Sequence, residues 1–256
     1  IEIIAGREEA RLIYLGVAHG LPNSGSHRLV MDIGGGSAEF IHGRSLQPVP
    51  MESLYMGCVS YSLRFFPEGK ITRGAMKRAE LAAGSEIQTI ATEFSRDQWE
   101  EAFGSSGTAR ALGEIIKLNN FDLAAINGDI TRDGLENFRE HLLRAGEIKK
   151  LEIPGLRPDR APVIVGGFAI MSAAFSELGI PRMSQAMGAL RQGVLYDLLG
   201  RFHKQDMREV TVKQFMQRYR VDAAQAGRVE ALALSLGKQL LTVNPDETEE
   251  MLQILS

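Results

Sequence analysis

The sequence predicts an α/β fold, a mixed sheet with flanking helices, from three observations. Apolar runs in the first half predict three strands: Arg28 to Ile33, Ala38 to His42, and Gln47 to Leu54. Strand and helix patterns then alternate along the chain, which is typical of a sheet covered by helices. Glycine turns follow apparent strands three times, at residues 34–36, 104–107 and 166–167. Because ligands of open α/β sheets gather at strand ends, these turns mark candidate binding positions.

Helices are predicted where apolar residues recur at helical spacing. They run over Arg7 to Val17, from a cap at Thr72 to about Phe94, from Gly104 to Leu118, from Thr131 to Leu143, from Leu190 to Phe202, and over a short stretch from Asn244. Gln98 to Phe103 is predicted as a strand. Val163 to Met171 is predicted as a strand that meets a helix at Gly166 and Gly167, and the alternative for that glycine pair is close helix–strand packing.

A change of pattern after Arg201 predicts the domain organisation, because glycine turns thin out there and helical periodicity dominates. The expected units are residues 1–200, a lobe of the α/β core, and residues 201–256, the start of a helical domain. The chain begins without Met, in a pattern typical of a strand already in progress. We therefore expect it to be a piece of a longer protein.

Composition excludes several classes of protein. The chain has 256 residues and a net charge of −3, which argues against general nucleic-acid binding, so no DNA partner is expected. Its single cysteine, Cys58, excludes an internal disulfide framework and is expected to be a buried structural thiol. No apolar run approaches the ~20 residues that span a bilayer, and no basic leader precedes an apolar segment. A cytoplasmic location is expected.

The segment from Leu29 to Ile41 carries the chemistry. An apolar run leads into Asp32, three glycines follow at 34–36, and Glu39 precedes a second apolar run. A glycine turn lets backbone N–H groups approach and cradle an anion, and flanking carboxylates can hold a hard cation such as Mg²⁺. The alternative is an ordinary hairpin turn. It is neither a Walker loop nor a Rossmann fingerprint, since no Gly-Lys-Ser/Thr follows and a strand comes next.

Several segments in this order resemble the exopolyphosphatase and guanosine pentaphosphate phosphohydrolase family. They are Glu2–Val17, Val30–Glu39, Met56–Ser60, Gly104–Thr108 and Gly188–Asp197, and the resemblance extends from Ile1 to about Arg228. The family belongs to the actin-like superfamily, so the resemblance implies a ribonuclease-H-like lobe. Members have two such lobes around a cleft, followed by a helical domain.

The resemblance implies a phosphoric anhydride hydrolase. Family members remove the terminal phosphate of inorganic polyphosphate, or the 5′ γ-phosphate of guanosine pentaphosphate, with Mg²⁺ or another divalent cation. By position, Glu9 resembles the general base that activates the attacking water, with its neighbour Glu8 as the competitor. The resemblance assigns metal binding to Asp32 and Glu39, a phosphate loop to Gly34, Gly35, Gly36 and Ser37, and cleft lining to Gly107 and Thr108. Basic residues that could guide a polyanion are Lys149, Lys150, Arg157, Arg160, Arg191, Arg201, Lys204 and Arg208.

The chain departs from the family pattern in three places. The first phosphate loop, Asp-x-Gly-Ser-Asn-Ser, is absent, so we expect one lobe of the cleft. One lobe by itself is expected to bind phosphate weakly and to turn over slowly or not at all, so the full-length parent is the expected enzyme. Met187 and Gln192 stand where the family commonly has Asp and Glu. The histidine–aspartate helical region is also absent. For the full-length parent, a homodimer is expected.

Three alternatives to polyphosphate hydrolysis stay open. Guanosine pentaphosphate hydrolysis uses the same chemistry with a nucleotide pocket. A non-catalytic phosphate-binding regulatory module could keep the same fold, although a pure binder does not need a water-directing acid at Glu9. A related kinase needs an adenosine pocket built around a glycine pair, and Gly166–Gly167 fits that requirement by sequence.

Overall fold

The computed structural model describes residues 4–22, 25–202, 216, 218–219 and 221–240. Contacts between residues divide the chain into two compact units, Ile1–Leu198 and Leu199–Ser256. The first unit contains the sheet and the candidate site. In the second unit the described residues include a helix over Ala223–Leu240. The short helix predicted from Asn244 lies outside the described residues.

Six strands form a single mixed sheet in the first unit, which confirms the predicted fold class. They are β1 His27–Ile33, β2 Ala38–Arg44, β3 Gln47–Leu54, β4 Glu101–Ser105, β5 Ile130–Thr131 and β6 Arg182–Gln185. The spatial order is β3-β2-β1-β4-β6-β5. The first three strands form an antiparallel meander, β1 and β6 both pair in parallel with β4, and β5 is antiparallel to β6.

Helices cover both faces of this sheet. In chain order, the described helices of the first unit are α1 Gly6–His19, α2 Cys58–Phe65, α3 Arg73–Gln88, α4 Ser106–Leu118, α5 Arg132–Ala145 and α6 Ala161–Glu177. Helix α7 Leu190–Phe202 begins in the first unit, and α8 Ala223–Leu240 belongs to the second. Short 3₁₀ turns lie at Pro67–Gly69, Arg96–Gln98, Ile126–Gly128 and Ile148–Lys150. None of the helices in the described ranges combines the length and the apolar content that crossing a membrane requires.

The side chains of β1 point alternately to the two faces of the sheet. Leu29, Met31 and Ile33 belong to the main hydrophobic core, which α3, α4 and α6 complete. Side chains alternate across a strand, so Asp32 lies on the opposite face. Helix α1 packs on that face against β2 and β3, with Tyr14 lying directly over Gly43. The acid at the end of β1 is therefore on the side of the sheet that α1 covers.

Helix α3 begins as predicted and ends early. The Thr72 hydroxyl accepts a hydrogen bond from the Ala75 N–H at 3.1 Å, which confirms the predicted cap. The helix ends at Gln88 rather than near Phe94, because the backbone hydrogen bonds change there from the i to i−4 spacing of an α-helix to the i to i−3 spacing of turns. The N–H of Ile90 donates to the carbonyl of Ile87 at 3.0 Å. Ile90 and Phe94 remain buried, so the apolar face continues through the irregular turns.

The prediction of a strand that meets a helix within Val163–Met171 is wrong in its strand, since all of these residues lie inside α6. Gly166 and Gly167 are not a turn but the places where α6 meets its neighbours. A Cβ at Gly166 would lie 2.5 Å from the Cys58 carbonyl oxygen, and one at Gly167 would lie 2.6 Å from the Thr108 methyl carbon. The glycines thus allow close packing against α2 and α4. No strand ends at this pair, which removes the observation that suggested an adenosine pocket.

The strand predicted over Gln98–Phe103 is shifted. Residues Arg96–Gln98 form a 3₁₀ turn, and β4 begins at Glu101. Cys58 is buried at the start of α2, which confirms the expectation of a buried thiol.

Candidate functional site

Two carboxylates lie side by side on the face of the sheet that α1 covers. The β1–β2 register places Asp32 directly opposite Glu39. Residues paired in this way have Cβ atoms about 4.5–5.5 Å apart on the same face of a sheet. Ser105 lies beside Asp32 on β4, and Ser53 lies beside Glu39 on β3. The result is a polar row across four strands, with the Asp32–Glu39 carboxylate pair in its centre.

Burial makes this pair difficult to ionise. Glu39 is only 1% exposed, and burial raises its pKa to about 7, while hydrogen bonds from Ser37 and Ser53 oppose the rise. The Ser53 hydroxyl donates to Glu39 at 2.9 Å. Burial also raises the pKa of Asp32, and the neighbouring Ser105 and Ser106 side chains oppose the rise. If both acids of this opposed pair were ionised, two negative charges would be buried together, so the pair favours a bound cation or a proton.

Helix α1 brings a third carboxylate, Glu9, toward the pair. The helix begins over the polar row, where a Cβ at Gly6 would lie 2.7 Å from the Ser53 hydroxyl oxygen. Burial is the largest cause of the raised pKa of Asp32 and of Glu39. The negative charge of Glu9 is a smaller cause that acts in the same direction on both acids. Glu9 is half-buried, and within the described ranges its carboxylate makes no hydrogen bond or ion pair.

The neighbouring Glu8 is occupied elsewhere. Its two carboxylate oxygens accept hydrogen bonds from Arg11, at 2.9 Å from Nε and 2.7 Å from Nη2. Adjacent helical residues point about 100° apart, so the two acids cannot serve the same site. Glu9 is thus the neighbour whose charge reaches the carboxylate pair.

The glycine loop, residues 34–37, is tied to the start of α2 through its carbonyl groups. The Gly34 N–H closes the turn on the Ser37 carbonyl at 2.9 Å. The carbonyls of Gly34 and Gly35 accept hydrogen bonds from the first three amides of α2, at 2.9–3.2 Å. Among the residues described, the N–H groups of Gly35, Gly36 and Ser37 donate to no backbone carbonyl. The loop therefore has consecutive amides that remain for an outside acceptor, which is how backbone nests bind anions.

Within the glycine loop, neither the backbone conformation nor the packing requires glycine at positions 35 and 36. No loop glycine has a positive φ angle. A Cβ on Gly36 would meet nothing within 4 Å, and one on Gly35 would first meet Val59 at 3.5 Å. The missing Cβ atoms instead leave space for a ligand to approach the amides. Gly57 is different, because a Cβ there would overlap the backbone of Gly35. Sequence reasoning assigned no role to Gly57, although it lies in the segment Met56–Ser60 that carries part of the family resemblance.

The start of α4 borders the same row. Ser106 has a φ of 73°, a left-handed conformation that non-glycine residues rarely adopt and that costs about 1–2 kcal/mol. Its hydroxyl donates to the Ile33 carbonyl at 3.2 Å, and the Thr108 hydroxyl donates to the same carbonyl at 3.4 Å. Gly107 is partly exposed whereas Thr108 is buried. Of these two candidate cleft residues, only Gly107 reaches the surface.

Two arginines lie at this end of α4. A Cβ on Gly107 would overlap the Arg160 guanidinium, so Arg160, one of the predicted basic residues, covers the turn. Arg110 was missed by sequence reasoning. Burial dominates the raised pKa of Asp32, and the charge of Arg110 is among the influences that oppose it. Arg110 is exposed and makes no ion pair with any described residue. Its position one turn after the end of β4 was the available signal.

The other predicted basic residues fall into three groups. Lys149 and Arg191 are exposed and form no ion pair with any described residue. Lys150 pairs with Glu147 at 3.2 Å, and Arg157 pairs with Asp159 at 3.1 Å. The side chain of Arg201 and the whole of Lys204 and Arg208 lie outside the described residues.

The segment Gly188–Asp197 holds α1 in place. A Cβ on Gly188 would overlap the Gly16 carbonyl, and one on Gly193 would overlap the Leu12 carbonyl. These glycines let the start of α7 touch the backbone of α1. Gln192, where the family commonly has Glu, accepts a hydrogen bond from the Ala189 N–H at 3.2 Å and so caps α7. Met187 is exposed.

Among the residues that the structure describes, no group of three or more His, Cys, Asp or Glu side chains is arranged to hold a metal ion. The donors that the site does offer are the two carboxylates of Asp32 and Glu39, with serine hydroxyls beside them. Hard oxygen donors of this kind suit Mg²⁺, which commonly binds through one or two carboxylates and keeps several waters. The pair thus fits a partly hydrated Mg²⁺ ion.

Comparison with known proteins matches the chain to one sequence family and to solved structures of the same fold. The sequence model of the Ppx/GppA phosphatase family matches residues 1–202. The chain is 23% identical to the type II variant of the Aquifex aeolicus Ppx/GppA phosphatase, with a TM-score of 0.63 over 75% of this chain and 63% of that one. It is 24% identical to an exopolyphosphatase from Cytophaga hutchinsonii, with a TM-score of 0.65 over 77% and 65%. At these identities the structures establish the fold, and the chain spans less than two thirds of either relative.

Proposed function

The chain belongs to the Ppx/GppA phosphatase family, and we propose that its site hydrolyses the terminal phosphate of inorganic polyphosphate. One observation carries this proposal. Three carboxylates, those of Glu9, Asp32 and Glu39, interact at the edge of a glycine loop whose amides have no backbone acceptor within the described residues. A loop alone would bind phosphate, but the third carboxylate adds a group able to direct water.

The glycine loop and the carboxylate pair have complementary tasks. Amides of Gly35, Gly36 and Ser37 bind oxygens of the terminal phosphate. Asp32 and Glu39 would hold Mg²⁺, which when bound neutralises charge on the phosphate oxygens. Arg110 and Arg160 add positive charge at the start of α4, where a polyanion has to approach. Electrostatic stabilisation of this kind is the main demand of phosphoryl transfer.

Glu9 orients and deprotonates the attacking water. Its carboxylate is suited to this because no described residue occupies it with a hydrogen bond. Attack by water on the terminal phosphorus forms one P–O bond and breaks the bridging P–O bond. The proton of the water passes to Glu9, and no covalent enzyme intermediate is required.

Phosphate release from long-chain polyphosphate tests this function, measured with the full-length protein in the presence of Mg²⁺. Steady release that stops on chelation of the metal is expected. If a folded protein released no phosphate from either polyphosphate or guanosine pentaphosphate, the hydrolase proposal would fail and a non-catalytic phosphate-binding module would replace it.

Replacement of Gly36 by Ala is expected to weaken substrate binding without disturbing the fold. The added methyl group meets no protein atom within 4 Å but occupies the space in front of the loop amides. Loss of a charge-assisted hydrogen bond costs about 1.5–3 kcal/mol, so we expect KM for polyphosphate to rise about tenfold or more. Gly227→Ala in α8 is the matched control, because a Cβ there also meets nothing within 4 Å. An unchanged KM for Gly36→Ala would show that the loop is only a hairpin turn.

Guanosine pentaphosphate is the second candidate substrate, and an exposed aromatic residue favours it. Tyr55 is 95% exposed and stands two residues before Gly57, whose backbone lies against Gly35 of the loop. Val59, also exposed, is the first residue that a Cβ on Gly35 would meet. An exposed ring beside a phosphate loop can stack on a nucleobase, an interaction of about 1–3 kcal/mol.

Replacement of Tyr55 by Ala separates the two substrates. If a base stacks on Tyr55, kcat/KM for guanosine pentaphosphate is expected to fall about tenfold, as the loss of ~1.4 kcal/mol requires. The rate on polyphosphate, which has no base, serves as the internal control and is expected to stay the same. An equal fall for both substrates, or for neither, would remove Tyr55 from nucleotide recognition.

A further inference from the structure

A buried arginine joins the start of α1 to a segment far away in the sequence. Arg11 is 3% exposed, and its Nη2 donates to Asp197 of α7 at 2.7 Å. The side chain of Asp197 is 5% exposed. The same guanidinium donates to both carboxylate oxygens of Glu8, through Nε and Nη2. We call this group, Glu8–Arg11–Asp197, the arginine clamp.

Packing alone does not account for the clamp. Contact between α1 and the start of α7 is already provided by the glycines at 188 and 193, which lie against the α1 backbone. A buried ion pair is weak support for stability, because apolar residues of similar volume often serve as well or better. Glu8 is also 45% exposed and does not need to be bound for the helix to fold. The clamp adds a fixed orientation of α1 relative to α7, since a guanidinium binds carboxylates in a planar fork.

That orientation fixes the rotation of the first turn of α1. Glu8 and Arg11 are three residues apart and lie on one face of the helix, which is held toward α7. Glu9 is the next residue after Glu8, so it points about 100° away from that face. The first turn itself lies beside the carboxylate pair, because a Cβ on Gly6 would meet the Ser53 hydroxyl, which donates to Glu39. A rotation of the first turn would therefore carry Glu9 away from the carboxylate pair.

We propose that the arginine clamp is a positioning device that holds the Glu9 carboxylate over the Asp32–Glu39 pair. This inference rests on the proposed function, in which Glu9 directs the attacking water. Arg11 and Asp197 act through Glu9 and do not touch the substrate. A misplacement of about 1 Å in a reacting group can cost about a hundredfold in rate, so a clamp of this kind has a measurable effect.

The test removes both buried charges of the clamp together, so that neither is left buried without its partner. Arg11→Met combined with Asp197→Asn removes both charges and keeps similar side-chain volumes. In the full-length protein we expect kcat on polyphosphate to fall about tenfold to a hundredfold, with KM changed less than about twofold, because only transition-state interactions are lost. Circular dichroism and the melting temperature establish that the variant is folded.

A double-mutant cycle distinguishes positioning from general damage. In a Glu9→Gln background the clamp substitutions are expected to cause no further loss of rate, because the group they position is already gone. An equal loss with and without Glu9 would overturn the inference, as would wild-type kcat in the folded clamp variant.

Crystal structures of the wild type and the clamp variant supply a readout that does not depend on turnover. We expect Glu9 to move relative to Asp32 while the sheet stays in place, and an unmoved Glu9 would overturn the inference. If the wild type releases no phosphate, the proposed function fails, whereas the crystallographic comparison still decides whether the clamp positions Glu9.

Discussion

Replacement of Glu9 by Gln is expected to reduce turnover on polyphosphate by about a hundredfold or more, which is the range for loss of a general base. Gln preserves the volume and the helix but cannot accept the proton of the attacking water. KM is expected to change little, because in the proposed mechanism the glycine loop and the metal, rather than Glu9, hold the phosphate. Steady-state kinetics with saturating Mg²⁺ measure both constants in one titration.

Glu8→Gln is the matched control, since it makes the same chemical change one residue earlier. The Gln amide oxygen can still accept a hydrogen bond from Arg11, so we expect a loss smaller than about tenfold. If Glu8→Gln proved the more damaging variant, or if Glu9→Gln retained nearly wild-type turnover, the assignment of Glu9 as the base would be wrong.

Replacement of Asp32 by Asn is expected to weaken the dependence of activity on Mg²⁺. The amide replaces one of the two paired carboxylates that we propose as the ligands of the cation. Loss of a group that only supports a metal ligand already costs about 10–100-fold in affinity or activity, so loss of a direct ligand should cost at least about tenfold. We expect the Mg²⁺ concentration that gives half-maximal rate to rise accordingly.

The pH dependence of Mg²⁺ binding follows from the same pair. Burial raises the pKa of Glu39 to about 7, so without a cation the carboxyl group is largely protonated below that pH. Mg²⁺ must displace this proton, and its affinity is therefore expected to increase as the pH rises through 7. Isothermal titration with Mg²⁺ at several pH values measures this affinity.

For the Asp32→Asn variant, a Mg²⁺ titration that matched the wild type would remove Asp32 from the metal site.

The hairpin that carries the carboxylate pair was predictable from the sequence because its information is local. Asp32 and Glu39 are equally distant from a short turn, and a tight antiparallel hairpin then places them opposite one another. Helix α6 was not predictable by periodicity, because it is apolar on all sides and lies in the core. A continuous apolar run of this kind has no polar face from which the helical period could be recognised.

The remaining parts of the site depend on contacts between distant residues. Arg11 and Asp197 are 186 residues apart, and nothing in either segment indicates the other. The support of the glycine loop by Gly57, and the approach of Arg160 to Gly107, likewise depend on how separate elements pack. The local pattern around the glycine turn identified Asp32 and Glu39 as candidates, and the family resemblance identified Glu9, while the relative placement of the three required the fold.

Hydrolysis of polyphosphate in ¹⁸O-labelled water tests whether a water molecule directed by this site attacks the terminal phosphate. The full-length protein is incubated with Mg²⁺, and the released orthophosphate is analysed by mass spectrometry. We expect one ¹⁸O atom in each phosphate released in a single turnover, and loss of that labelled product in Glu9→Gln. Release of unlabelled phosphate, or labelled release that persists unchanged in Glu9→Gln, would show that Glu9 does not direct an attacking water.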